Sequence, residues 1–376
     1  MRKKRISNLR KLIKIALPVI LVLILITQSS YLQKPTVILA DSIGAICAAA
    51  VIPEAAIDSE IEQASDISAE ANTTVAVTSE QSTTMATTPT TTSSQAGEVM
   101  TYEACTVPIT AVAASNAAGK IITQTVGRSG ATDNYNGVYI RNATGVEVSI
   151  KDQLSIEPDC DIELNAAPQV LIVHTHATEC YYPSDSATYS DDWPTRTTDK
   201  TKNVVAVGKV LKDKLNEVGI ITIQSETLHD KDAYTGSYDR SRETIKEYLE
   251  KYPSIQIVLD IHRDSITYDD NSKLKPTVTV NGKKAAQIMI ISGCEAGPVT
   301  DFPDWIENLR FGLRLQQSFE TTYPLLARPL FFAQKLYNQD LKHCSLLIEM
   351  GSEANTLEEA KYSAELLAEM LVKTFS

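Results

Sequence analysis

Along its C-terminal half the chain alternates short, continuous apolar runs with longer stretches of helical periodicity. The apolar runs fall at 170–173, 220–223, 255–261, 286–291 and 345–348. Runs of this length with little internal alternation are expected of strands buried on both faces. Between them, residues 203–218 place apolar side chains at 204, 207, 211, 215 and 218, followed by Gly219 as a stop signal. Ser237 is positioned to cap a helix carrying Ile245 and Leu249 that ends before Pro253, and 305–319 and 357–375 also read as helices. The order predicts an α/β fold, a mostly parallel twisted sheet flanked by helices, over 165–376.

Ahead of that domain the pattern changes three times. Seven basic residues (Arg2, Lys3, Lys4, Arg5, Arg10, Lys11, Lys14) precede an apolar run at 15–26. This arrangement predicts a signal-anchor over 1–30, basic end inside, which leaves the rest of the chain outside a cell membrane on a single pass. The run is short beside the roughly 20 residues of a full span, so a cleaved signal peptide is the alternative. Residues 31–99 are predicted to form a low-complexity linker, Ser/Thr-rich from Asp58 to Gly97, with too little apolar surface to offset its ordering entropy. Residues 100–164 read as a small accessory segment with weak strand patterns at 137–142 and 146–150.

Composition narrows the function classes. Of 376 residues, 35 are Lys or Arg and 47 Asp or Glu, a net charge of −12. That balance argues against nucleic acid, whose phosphates need clustered cations. The six cysteines contain no C-x-x-C pair, and no disulfide pairing can be read from them. Cys180 is expected to be a packing thiol.

Three of the apolar runs end in residues that carry chemistry. The first leads into His174-Thr-His176 with Glu179 just beyond, the third into His262-Arg-Asp264, and the last into Glu349-Met-Gly351. Ligands of open α/β sheets sit beyond the strands' carboxyl ends, where residues distant in sequence converge. Imidazoles and a carboxylate there make an N/O set suited to zinc, and a further carboxylate can act as general base. The pattern points to metal-assisted hydrolysis of an amide.

From about Gly137 onward the sequence resembles the stage II sporulation protein P family. The resemblance rests on Leu171-Ile-Val-His-Thr-His-Ala-Thr-Glu179, Tyr234-Thr-Gly-Ser-Tyr-Asp-Arg240, Asp260-Ile-His-Arg-Asp264, Tyr337-Asn-Gln-Asp-Leu341 and Leu347-Ile-Glu-Met-Gly351. The domain is also similar to the wider zinc N-acetylmuramoyl-L-alanine amidases, in the first histidine after a strand, the Ile261-His262 pair and the stretch 348–355. These likenesses imply a zinc amidase-like domain that cleaves peptidoglycan between the glycan's lactyl group and the stem peptide. They also imply endopeptidase action on peptide cross-links during engulfment, with the stage II sporulation proteins D, M and Q as partners.

The resemblance implies Glu349 as the catalytic carboxylate and His176 and His262 as metal ligands. The wider amidases carry their glutamate ligand at the start of the first helix, where this chain reads Arg196-Thr-Thr-Asp-Lys-Thr-Lys-Asn203 and has no Glu. The third ligand is therefore assigned to Glu179, with Asp199 as the fallback. His174 is expected behind the ligands, His229 along the cleft, and Arg263 against a substrate carboxylate or behind the ligands; His343 is left without a role. A zinc carboxypeptidase acting on stem peptides and a wall-binding scaffold with a degenerate site are the competing readings.

Overall fold

A computed structural model describes residues 118–190 and 192–375. The signal-anchor and the linker expected over 1–30 and 31–99 lie outside the described residues. Among those described, no helix is long and apolar enough to cross a membrane.

The main sheet has eight strands. In chain order they are β2 (Asp133–Tyr135), β3 (Val138–Asn142), β4 (Val170–Val173), β6 (Thr222–Gln224), β7 (Ile257–Asp264), β10 (Ile288–Gly293), β11 (Leu330–Ala333) and β12 (Ser345–Ser352). Across the sheet they lie β2-β3-β11-β10-β12-β7-β4-β6. Strands β12, β7, β4 and β6 run parallel. β10 runs antiparallel to β12, and β11 and β3 then follow β10 in parallel. The sheet is thus mostly parallel, as expected, but mixed.

The reversal has a local cause. Parallel neighbours need a crossover of a dozen or more residues, usually helical. Between β7 and β10 the chain makes a hairpin instead, β8 (Lys273–Val280) and β9 (Lys283–Ala286). The hairpin turns through Asn281 (φ +50°) and Gly282 (φ +74°), the left-handed pair that a two-residue turn of this hand requires. With β1 (Gly119–Gln124) and β5 (Thr188–Tyr189) it forms a second sheet, ordered β5-β1-β8-β9. The patterns read from sequence did not include this sheet.

Five α-helices, α1 (Ile150–Leu154), α2 (Val204–Glu217), α3 (Ser237–Lys251), α4 (Trp305–Thr322) and α5 (Leu357–Thr374), and a 3-10 turn at Gln339–Leu341 complete the described fold. α2 starts at Asn203, whose side chain accepts from the Val205 N–H. α5 starts with a capping box between Thr356 and Glu359. Two local readings are corrected. Ser237 lies inside α3 rather than capping it, and Gly236 (φ +76°) makes the turn. The 146–150 run is not a strand: Ser149 caps α1 by accepting from the Asp152 N–H.

The two faces of the main sheet are covered unequally. On one, Val170, Ile172, Leu259, Ile261 and Ile348 pack with Leu211, Leu215, Phe319 and Leu367 of the helices in the large core. On the other, Leu171, Val173 and Val258 meet Ile245 of α3 in a smaller cluster. Farther along that face Met289, Ile291, Phe331 and Leu347 form a third cluster with Tyr337, against which Tyr238 packs. Residues 118–164 are built into both sheets through β1, β2 and β3, and α1 adds Ile150 and Leu154 to the large core.

Candidate metal centre

The site lies on the α3 side of the sheet, across the adjacent strands β12, β7 and β4. Just past β4 the backbone N–H of Thr175 donates to Asp260 Oδ1 at 2.9 Å and its hydroxyl to Oδ2 at 2.6 Å. These bonds fix the turn that presents His176. Three residues on, Glu179 closes a turn by donating its N–H to the His176 carbonyl at 3.1 Å. Side chains two apart on a strand share a face, so Asp260 and His262 of β7 point the same way, and Asp260 Oδ1 stands 2.9 Å from His262 Nε2. The opposite ring nitrogen, Nδ1, faces Glu179.

Glu179 stands between the two imidazoles. Its Oε1 is 3.6 Å from His176 Nδ1 and its Oε2 is 3.4 Å from His262 Nδ1. One donor atom from each of His176, Glu179 and His262 lies within 4.8 Å of the others, and all three residues are buried. With bonds of about 2.0–2.2 Å, two ligands of a tetrahedral zinc ion stand roughly 3.3–3.6 Å apart. The carboxylate–imidazole spacings match that separation, so the residues fit a zinc-sized ion. Asp260 behind His262 supplies the carboxylate–histidine support that such sites use.

The cluster is held from outside as well. The His176 ring stacks on Tyr234 (centroids 4.5 Å apart, 17° between planes) and meets the edges of Tyr238 and His262. Arg196 lies over the Tyr234 ring at 4.5 Å, pairs with Asp230 at 2.8 Å and approaches Glu179 at 3.8 Å. Asp230 in turn accepts from the Thr178 hydroxyl at 2.5 Å. The Arg263 N–H donates to Glu179 Oε2 at 3.1 Å.

Electrostatics separate the two histidines. Burial opposes charge on His262, but Asp260 and Glu179 outweigh it and raise its pKa well above the usual value. Burial, helped by His262 and Arg196, holds His176 well below. His262 thus carries the proton that an incoming cation would displace.

Glu349 is the parallel register partner of His262 across β12 and β7. It is 1% exposed, and neither carboxylate oxygen has a hydrogen-bond partner. Burial, with Asp264 and Glu179 adding to it, pushes its pKa well above the carboxylate range. A buried polar group without a partner is costly, and this one stands beside the cluster, in register with His262. Near it, the buried Arg328 donates to Asp264 Oδ2 at 2.9 Å while its Nε and Nη2 have no partner.

The remaining sequence candidates take supporting places. His174 lies on the opposite face of the sheet, with Nδ1 on the Ile261 carbonyl and Nε2 on the Gln224 amide, both at 2.9 Å. It steadies the residue before His262. His229 does not line the cluster: its Nδ1 donates to the His174 carbonyl at 2.8 Å and its Nε2 lies 3.0 Å from the Thr244 hydroxyl. Of the two places expected for Arg263, the structure shows it behind the ligands: its buried guanidinium donates to the carbonyls of Cys180 and Thr195 and braces the Glu179 loop. Asp199 is occupied with Thr201 and Lys202 near the surface, away from the cluster. Cys180 is a packing thiol, donating to the Pro194 carbonyl, with its pKa raised by burial to about 11.

Sequence reasoning missed Asp260, Tyr234, Tyr238, Arg196 and Arg328. Asp260 had a signal, since a carboxylate two residues before a strand histidine shares its face. The tyrosines lie in a stretch that carried the resemblance without suggesting a role, and Arg196 and Arg328 had no local signal.

The sequence pattern of the stage II sporulation protein P family matches residues 44–372. Stage II sporulation protein P of Bacillus subtilis (strain 168) is 30% identical over 217 residues, 55% of this chain and 51% of that protein. The chain therefore spans about half the length of that relative. Two solved structures are also similar. One is the apo N-acetylmuramyl-L-alanine amidase Ami1 from Mycobacterium abscessus, at 14% identity and TM-score 0.33 over 56% of this chain and 100% of that one. The other is an N-acetylmuramoyl-L-alanine amidase from Clostridium difficile 630, at 14% and 0.33 over 55% and 97%.

Proposed function

The chain belongs to the stage II sporulation protein P family, and from that premise we propose that it is a zinc-dependent peptidoglycan hydrolase acting on septal wall during sporulation. The bonds cleaved are the amide joining the glycan's lactyl group to the stem peptide and, in the endopeptidase mode, peptide cross-links. The domain works outside the cell membrane on its N-terminal anchor, with the stage II sporulation proteins D, M and Q as candidate partners.

The observation that carries this reading is a buried carboxyl with no partner, Glu349, set beside a His–Glu–His cluster at zinc-ligand spacing. His176, Glu179 and His262 would hold the ion. Bound there, zinc supplies Lewis-acid polarisation of the scissile carbonyl and acidifies water. The charge of a bound ion would offset the burial that raises the Glu349 pKa, and the resulting carboxylate takes a proton from the attacking water and returns it to the leaving amine. Asp260 holds His262 through Nε2 and keeps Nδ1 turned toward the cluster. Tyr234 and Tyr238 pack around His176 and limit its rotation.

In purified protein, Glu349→Gln should keep its zinc by elemental analysis yet lose about 10²–10⁴-fold in turnover of sacculi. His262→Ala should lose both zinc and turnover. Mass spectrometry of the digest identifies the bond: whole released stem peptides support the amidase, and single terminal residues support a carboxypeptidase instead. Full turnover in Glu349→Gln would remove that residue as the base.

A further inference from the structure

Two cysteines distant in sequence lie on segments that meet away from the metal centre. Cys160 lies in the segment between α1 and β4, and Cys344 immediately precedes β12. Both are free thiols, Cys344 buried and Cys160 half-buried. Cys344 belongs to the large apolar core, and Cys160 packs against it.

The residues just before them pair. His343 Nδ1 stands 2.6 Å from Asp159 Oδ2, and His343 Nε2 reaches Asp304 at 3.7 Å. The contact of 159 with 343 therefore holds the two segments side by side one residue away from each cysteine. The Cys160 segment is fastened on its own account too. Arg310 Nε donates to the Gln153 side chain at 2.8 Å, and Arg314 bonds Glu157 at 2.7 Å.

We propose that Cys160 and Cys344 form a disulfide that staples the segment ahead of β4 to the lead-in of β12, the strand that carries Glu349. The other described cysteines are placed differently. Cys180 donates to the Pro194 carbonyl, and Cys294 is buried in the large core beyond β10.

The chemistry needs an external disulfide as oxidant, either a low-molecular-weight disulfide or a disulfide-form oxidoreductase. The half-buried Cys160 is the accessible partner, whereas Cys344 is fully buried. The Cys160 thiolate attacks the oxidant's disulfide, forms a mixed disulfide and expels one thiolate. Cys344, losing its proton, then attacks the Cys160 sulfur and expels the second. Two protein thiols are oxidised and one external disulfide is reduced to two thiols.

A disulfide constrains the unfolded chain most when the loop it closes is long. The test equilibrates the full chain with oxidised glutathione and alkylates the remaining thiols. Peptide mapping without reductant should then give a 160–344 linkage, with a melting temperature about 5–10 °C above that of the reduced protein. Cys160→Ser, at the half-buried position, should fold, melt like the reduced wild type and lose the redox-dependent shift; Cys180→Ser should keep it. Alkylation of both Cys160 and Cys344 after equilibration would overturn the proposal. So would a linkage joining either one to Cys47, Cys105, Cys180 or Cys294.

Discussion

Single side chains decide which nitrogen of which histidine is offered. Asp260 takes the Nε2 side of His262 and so leaves Nδ1 for the cluster, while the same carboxylate locks the Thr175 turn that presents His176. Asp260→Asn should weaken zinc binding about 10–100-fold, as loss of such support does elsewhere. Competition with a chromophoric chelator measures this, and unchanged affinity would deny Asp260 its part. His174 acts through burial, which lowers its pKa to about 4 from 6.5. The unfolded chain protonates this group first, so its contribution is intact above pH 6.5 and is lost as pH falls from there toward 4. A difference of that size is worth about 3 kcal/mol. Denaturation midpoints across that range should fall more steeply in the wild type than in His174→Gln, and parallel curves would refute the assignment.

Secondary-structure elements place those residues, and here the sequence was informative unevenly. The runs at 170–173 and 286–291 became β4 and β10, because side chains buried on both faces leave a continuous apolar signature. β7 and β12 were read too short: polar His262-Arg-Asp264 and Glu349 looked like strand ends, whereas both strands run on through them to Asp264 and Ser352. Hydrophobicity stops where a site begins, so the signal fails at the residues that carry the chemistry. His176, Glu179, His262 and Glu349 were all legible as candidates. Their supports were not, because Arg196 and Tyr234 reach the cluster only through tertiary packing. The hairpin of β8 and β9 was available from Asn281-Gly282 and went unread. Close packing of α2 is a further case. A Cβ on Gly208 would lie 2.6 Å from the His174 ring and 2.7 Å from the Gln224 amide. Gly208→Ala should therefore cost about 1–3 kcal/mol by overpacking, measured by urea titration. A neutral result would mean that the helix can shift away from β4.

At the scale of the whole molecule, the candidate ligands would tie metal binding to folding. His176 and Glu179 follow β4 while His262 lies on β7, so the cluster exists only when the two strands are paired. An ion held there stabilises the folded state by mass action, by about 2.7 kcal/mol at a free concentration one hundred times its dissociation constant. Chelation should lower the melting temperature by several degrees, and zinc should restore it. His262→Ala should melt at the same temperature with and without zinc, and a shift in that variant would place the ion elsewhere.

Strand order in the main sheet also sets a timetable. β12 is inserted between β7 and β10, both of which precede it in the chain. The middle of the sheet therefore stays open until residues 345–352 have been made and have slotted in. A nascent polypeptide that already holds both ligand histidines still lacks Glu349, so on the proposed mechanism it cannot cut. On that mechanism the site is armed only once the last strand of the sheet is in place.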